Sequence, residues 1–156
     1  MKKIITLLLL ISSILFSYEM NYDKNTTGLV RQMQVYKYPK WVAKIELQNG
    51  KEIFFVSPKS MFEFYFRPGK WPEFGIKSES DFKNIYVTDY ATAEAVKAKG
   101  AFFVYGSSVT SPAGDDLVPF DSYKAAEEFS KQNNGKRIFG FREVSQGLIN
   151  WLNDSL

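Results

Sequence analysis

The sequence predicts an α+β fold: two ββαβ units packed together, followed by a C-terminal helix. Three observations carry this. A pair of apolar runs, a capped amphipathic stretch and a further apolar run occur in that order twice along the chain. Aromatic residues make up 17% of the 156 positions, with 14 Phe and 9 Tyr, a composition suited to strands and a packed core. Neither half is large enough to bury a sheet face alone, so the two must share a core.

The chain opens with Lys2 and Lys3, then an apolar run from Ile4 to Phe16. That run is short for a membrane span, and polar sequence comes directly after it, which is the pattern of a secretory signal over residues 1–17. An uncleaved anchor is the competing reading. No Cys follows the run, so lipid attachment there is excluded. Residues 18–29 are polar and short of core formers, and read as a flexible mature N-terminus. The folded domain is expected over residues 30–156, with a first half of about 30–90 and a second of about 91–156.

In the first half, Trp41 to Leu47 alternates between apolar and polar residues, the period of a half-buried strand. Asn49-Gly50 is a tight-turn signal, and Ile53-Phe54-Phe55-Val56 is the returning strand. Ser57-Pro58 supplies a helix cap and a first-turn proline. Met61, Phe62, Tyr65 and Phe66 then share one helix face, and Pro68-Gly69 stops the helix. Phe82 to Val87 is a third strand. Residues 91–99 are rich in helix formers and read as a short helix.

The second half repeats the order. Ala101 to Tyr105 and Leu117 to Phe120 are strands separated by a long turn. Asp121 or Ser122 caps a helix through Gln132, with Ala125, Ala126 and Phe129 on one face. Asn133-Asn134-Gly135 ends it, and Arg137 to Phe141 is the last strand. Val144, Leu148, Trp151 and Leu152 mark the apolar face of a C-terminal helix.

The sequence contains no Cys and no His. That excludes disulfides, thiolate nucleophiles, thiolate or imidazole metal sites, and any Ser–His catalytic pair. No nucleophile–base or acid–acid constellation is visible, so the chain reads as a non-enzyme. Removing residues 1–17 takes away two lysines and no acid, so the formal charge falls from +3 to +1. Such a chain has no electrostatic footprint for nucleic acid. The interleaved Arg31, Tyr36, Lys37, Tyr38, Lys40 and Trp41 then read as a strand edge with snorkelling lysines. Asp115-Asp116 is a paired carboxylate that reads as a solvated turn, and Gly106-Ser107-Ser108 lacks the spacing and lysine of a phosphate loop. Thioethers are the soft donors that remain. Met61 belongs to a core face, whereas Met20 and Met33 sit in polar surroundings, where either surface placement or Cu(I) ligation accounts for them.

Several segments resemble the NosL family of nitrous-oxide-reductase accessory proteins. In the first half they are residues 35–45 (Val-Tyr-Lys-Tyr-Pro-Lys-Trp-Val-Ala-Lys-Ile) and Phe54-Phe55-Val56 leading to Met61-Phe62. In the second they are Val87-Thr88-Asp89-Tyr90, residues 101–107, Asp116-Leu117-Val118-Pro119-Phe120, and the helix of residues 122–130. The resemblance implies a periplasmic accessory protein of two ββαβ units that handles Cu(I). Its partner is then an envelope protein, a copper enzyme or its maturation machinery, with the membrane involved only through an uncleaved signal. The family usually carries Cys-Gly-Met before the first strand, where this chain has Arg31-Gln32-Met33, and commonly Gly-Pro-Met-Gly where it has Ser111-Pro112-Ala113-Gly114. Arg31 thus puts a permanent cation, which opposes Cu(I), in place of a soft thiolate. Met33 is the ligand that survives, and Met20 is the candidate second thioether. The expectation is an accessory protein with weakened or lost Cu(I) binding. The alternative is a non-metal interaction module on the same scaffold.

The signal reading predicts a mature N-terminus between about Ser17 and Asn21. Intact mass of protein recovered from the envelope checks it; a full-length cytoplasmic product overturns it.

Overall fold

The computed structural model describes residues 18–154, so the expected signal segment lies outside the described residues. Two antiparallel sheets share a central core. The first contains β1 (Ala43–Leu47), β2 (Glu52–Phe55), β3 (Phe82–Thr88) and β4 (Ala95–Lys97) in the order β2-β1-β3-β4. The second contains β5 (Phe102–Tyr105), β6 (Leu117–Phe120) and β7 (Arg137–Gly140) in the order β6-β5-β7. Helix α1 (Pro58–Phe66) connects β2 to β3, α2 (Tyr123–Gln132) connects β6 to β7, and α3 (Gln146–Asp154) comes after β7. No helix among the described residues is long and apolar enough to cross a membrane.

Local chemistry sets most of these elements. Gly50 takes the left-handed φ of +88° that the β1–β2 turn requires. Ser57 accepts the Ser60 N–H, and Ser122 accepts the Ala125 N–H, so each of these two helices begins on a serine cap. In the register, Ile45 faces Ile53 on one side and Ile85 on the other, while Lys44 lies between Phe54 and Tyr86. Alternation therefore gives the first sheet two different faces.

Its inner face carries Ala43, Ile45, Leu47 and Phe55, all fully buried. They pack with Phe62 and Phe64 of α1, Phe103 and Phe139 of the second sheet, and Ile149 and Leu152 of α3. Phe62 is the hub, with ring centroids 5.2 Å from Phe103 and 5.1 Å from Phe141. The opposite face of the second sheet, with Val104, Val118 and Phe120, is covered by Ala126 of α2 and by Trp41.

Three expectations need correction. Residues 91–99 form a turn, the strand β4 and a single 3-10 turn. Ala93 sits at φ +62°, Asp89 accepts the Ala91 and Thr92 N–H groups, and the free edge of β3 pairs with residues 95–97. Edge pairing outweighs the helix propensity of so short a segment. Residues 91–97 thus go with the first sheet and not with the second half. The 18–29 segment is packed along the fold: Tyr18 bridges to Ala95, Thr27 bridges to Gln34, and the Leu29 N–H donates to the Phe54 carbonyl at 2.8 Å. Trp151 is 63% exposed, and Ile149 takes the inward place on α3 expected for it.

Because Phe103 is fully buried against Phe62 and Phe141, Phe103→Ala should lower stability by about 3–5 kcal/mol. Urea unfolding checks this, and an unchanged midpoint contradicts the shared core.

Candidate functional site

The segment holding the surviving ligand position is a tight turn laid over the first sheet. The Gly28 N–H donates to the Met33 carbonyl at 2.8 Å and the Gln32 N–H to the Gly28 carbonyl at 2.9 Å. Gly28 lets the turn approach the sheet closely: a Cβ there would stand 3.1 Å from Val56, close enough that the neighbour would have to give. Gln32 occupies the left-handed region at φ +54°, the conformation that glycine adopts at least cost. Its side-chain amide donates to the Leu29 carbonyl, which holds the turn from within.

The two side chains flanking Gln32 diverge. Met33 is half-buried against a small cluster on the outer face of the first sheet. Arg31 lies between the ends of α1 and α3, where its Nη2 donates to Asn153 Oδ1 at 2.9 Å. Met20 is buried in the cluster that Met33 packs on, together with Val35, Val42, Val56 and Tyr86. It also lines an open depression with Tyr18, Glu19, Tyr22 and Glu94. The two expected thioethers are therefore drawn to one apolar patch, while Met61 is wholly buried in the main core.

Lys44, which the sequence did not single out, is enclosed beside this patch with two acids. It is 2% exposed and its ammonium lies 5.3 Å from the Tyr86 ring centroid and 5.8 Å from that of Phe54. Glu46 and Glu52 each pair with it at 3.0 Å. Burial pulls its pKa down, but the hydrogen bonds to Glu52 and Glu46 outweigh this and hold it above the ordinary lysine value. Two carboxylates offset the one ammonium charge here, so Lys44 places no net positive charge against the patch, and Arg31 itself is directed to the ends of α1 and α3. Among the described residues, no group of three or more His, Cys, Asp or Glu could hold a metal ion.

The second divergent loop has become a structural joint. Ser111 and Gly114 pair by reciprocal backbone hydrogen bonds, and the Ser111 hydroxyl donates to Asp116 Oδ2 at 2.7 Å. Asp116 Oδ1 accepts the Lys59 and Leu117 N–H groups at 2.7 and 2.8 Å. The Lys59 ammonium is fully buried and donates to the carbonyls of Ala113 and Leu152. Burial pushes the Asp116 carboxyl up and the Lys59 ammonium down from their usual values. Asp115 remains exposed, so the solvated-turn reading of the acidic pair holds for Asp115 and fails for Asp116.

The other sequence candidates separate. Trp41 is buried with its ring tilted against Tyr90 at 5.3 Å between centroids, Lys40 lies over that same Tyr90 ring, and Arg31 belongs to a different surface. The basic-aromatic series is not one face. Gly106 turns at φ +74° against the Lys136 side chain, and the Ser108 N–H donates to the Asn133 carbonyl, so this segment is a connection.

The chain matches the family model NosL over residues 19–149. The crystal structure of the copper chaperone NosL from Shewanella denitrificans is similar in fold, with a TM-score of 0.71 and 24% identity. That match covers 84% of this chain and 98% of the other. The solution structure of the apo-NosL protein from Achromobacter cycloclastes is 22% identical, with a TM-score of 0.47, covering 69% of this chain and 87% of that one. No curated protein matches.

Since Gln32 holds a glycine conformation at a cost of about 1 kcal/mol, Gln32→Gly should raise the thermal midpoint or leave it unchanged. Gln32→Val, β-branched at the same φ, should lower it. Differential scanning calorimetry of the two variants reads this.

Proposed function

The chain belongs to the NosL family, and we propose that it is a cell-envelope accessory protein related to copper chaperones, with a weak Cu(I) site. The observation that carries this reading is the convergence of Met20 and Met33 on one cluster within the matched region. Two thioethers suit a soft monovalent ion, and they fit neither a hard cation nor a tight structural site. The sequence offers no thiolate and no imidazole to complete the coordination, which keeps the site weak. Copper is cargo here: it is held loosely and passed on. The fitting partner is a copper enzyme of the envelope or its maturation machinery. Export through the signal of residues 1–17 supplies the compartment.

A second reading is favoured by the missing thiolate and imidazole donors: the scaffold then binds a protein partner without metal, and Trp151, 63% exposed on α3, is the natural anchor.

An anaerobic competition titration with a Cu(I) chromophore decides between them. The metal-carrying reading expects weak, saturable binding that falls by about tenfold or more in Met33→Ala. Binding that survives Met33→Ala overturns the site. No binding at high Cu(I) overturns the metal reading and leaves the interaction module.

A further inference from the structure

The geometry points to a site for an oxyanion, a carboxylate or a phosphate, between the ends of α1 and α3 and separate from the methionine patch. A cavity of about 530 Å³ opens there, lined by Arg31, Arg67, Lys70 and Trp71 among others. That volume suits a small molecule bearing an anionic group better than a bare ion.

Charge accounting identifies the ligand class. Glu63 is committed: it pairs with Lys70 at 2.8 Å and accepts the Asn153 side-chain amide at 3.1 Å. Lys70 is thereby neutralised. Arg31 has only a neutral acceptor, Asn153 Oδ1, for its Nη2. Its Nε is the one buried side-chain polar atom without a hydrogen-bond partner among the described residues. Arg67 is exposed, and its guanidinium makes no ion pair among the described residues. Against these two guanidiniums stand the Asp154 carboxylate and the carbonyl ends of α1 and α3, which carry partial negative charge. Those groups explain why cations gather here. They leave Arg31 Nε without an acceptor, and buried donors are almost always satisfied by protein, water or ligand.

An arginine presents Nε and Nη as a planar fork that matches the two oxygens of a carboxylate or phosphate. In this site Arg31 supplies the fork, held in place through Asn153 and Glu63. Arg67 supplies the second charge from the rim, and the Trp71 ring takes the body of the ligand. The inference does not rest on the copper reading, since the cavity and the methionine cluster share no residue.

The test is calorimetric titration of the full mature chain with inorganic phosphate and with succinate, at constant ionic strength set with sodium chloride. Saturable binding of at least one anion is expected, and the tighter of the two names the oxyanion. Affinity should fall by about tenfold or more in Arg67→Gln and in Arg31→Lys, which keeps the charge but lacks the fork. Arg67→Gln should keep the parent thermal midpoint without anion, because Arg67 makes no ion pair among the described residues. Lys124→Gln, on the exposed face of α2, should bind as the parent does. No saturation by either anion overturns the site. So does equal affinity in Arg67→Gln and the parent, or an equal loss in Lys124→Gln, which would reduce the effect to net charge.

Discussion

Asp116 and Lys59 reach each other across 57 residues of sequence, and the assembly of the fold depends on that contact. The carboxylate accepts the N–H of the second residue of α1, one of the groups a helix leaves unsatisfied at its start. Negative charge at that end also meets the positive end of the helix dipole. In the other direction, the Lys59 ammonium ties the 111–114 turn and the end of α3 to the same helix. One buried knot therefore fixes α1, the second sheet and α3 together. Both side chains are out of water, and removing either leaves buried hydrogen-bonding groups without a partner, at a cost of about 1–3 kcal/mol for each such group. The aromatic hub around Phe62 supplies the apolar contact, but the knot determines which faces meet.

A second joint plays the same part at the far side. Asp89 accepts the Ala91 and Thr92 N–H groups with one oxygen and the Asp121 N–H with the other. The Thr88 hydroxyl donates to the Val42 carbonyl, and the Tyr90 N–H donates to the Pro119 carbonyl. The run Val87-Thr88-Asp89-Tyr90, which carried part of the family resemblance, thus links the two sheets. Its acid is structural, and this is why it led to no chemistry.

What the sequence made legible was local. The Asn49-Gly50 turn, the serine caps at Ser57 and Ser122, and the strand alternation around Ile45 are set by neighbours a few residues away. What it hid depends on distant partners. Nothing near Lys59 marks it as buried, because its carbonyl acceptors come from residues 113 and 152. Lys44 looked like the polar half of an alternating strand until Glu52 and Tyr86 closed over it. Asp115 and Asp116 are alike in sequence and opposite in burial, since only Asp116 meets the start of α1. For the candidate ligands, Met20 and Met33 could be named from their chemistry alone. Their common patch required the 18–29 segment to lie along the sheet, which its polar composition did not announce.

The turn at residues 28–33 explains how such a scaffold can change its chemistry at little structural cost. Its shape is written in backbone hydrogen bonds and in the absence of a side chain at Gly28, not in the residue at position 31. Position 31 can therefore carry a soft donor or a guanidinium on the same frame. With arginine there, the side chain finds an acceptor on α3, while Met33 packs on the Met20 cluster on the other side of the turn. Arg31 thus belongs to the cavity between α1 and α3 and not to the methionine patch. The fold does not depend on the side chain at position 31, because its joints lie elsewhere, at Lys59, Asp116 and Asp89.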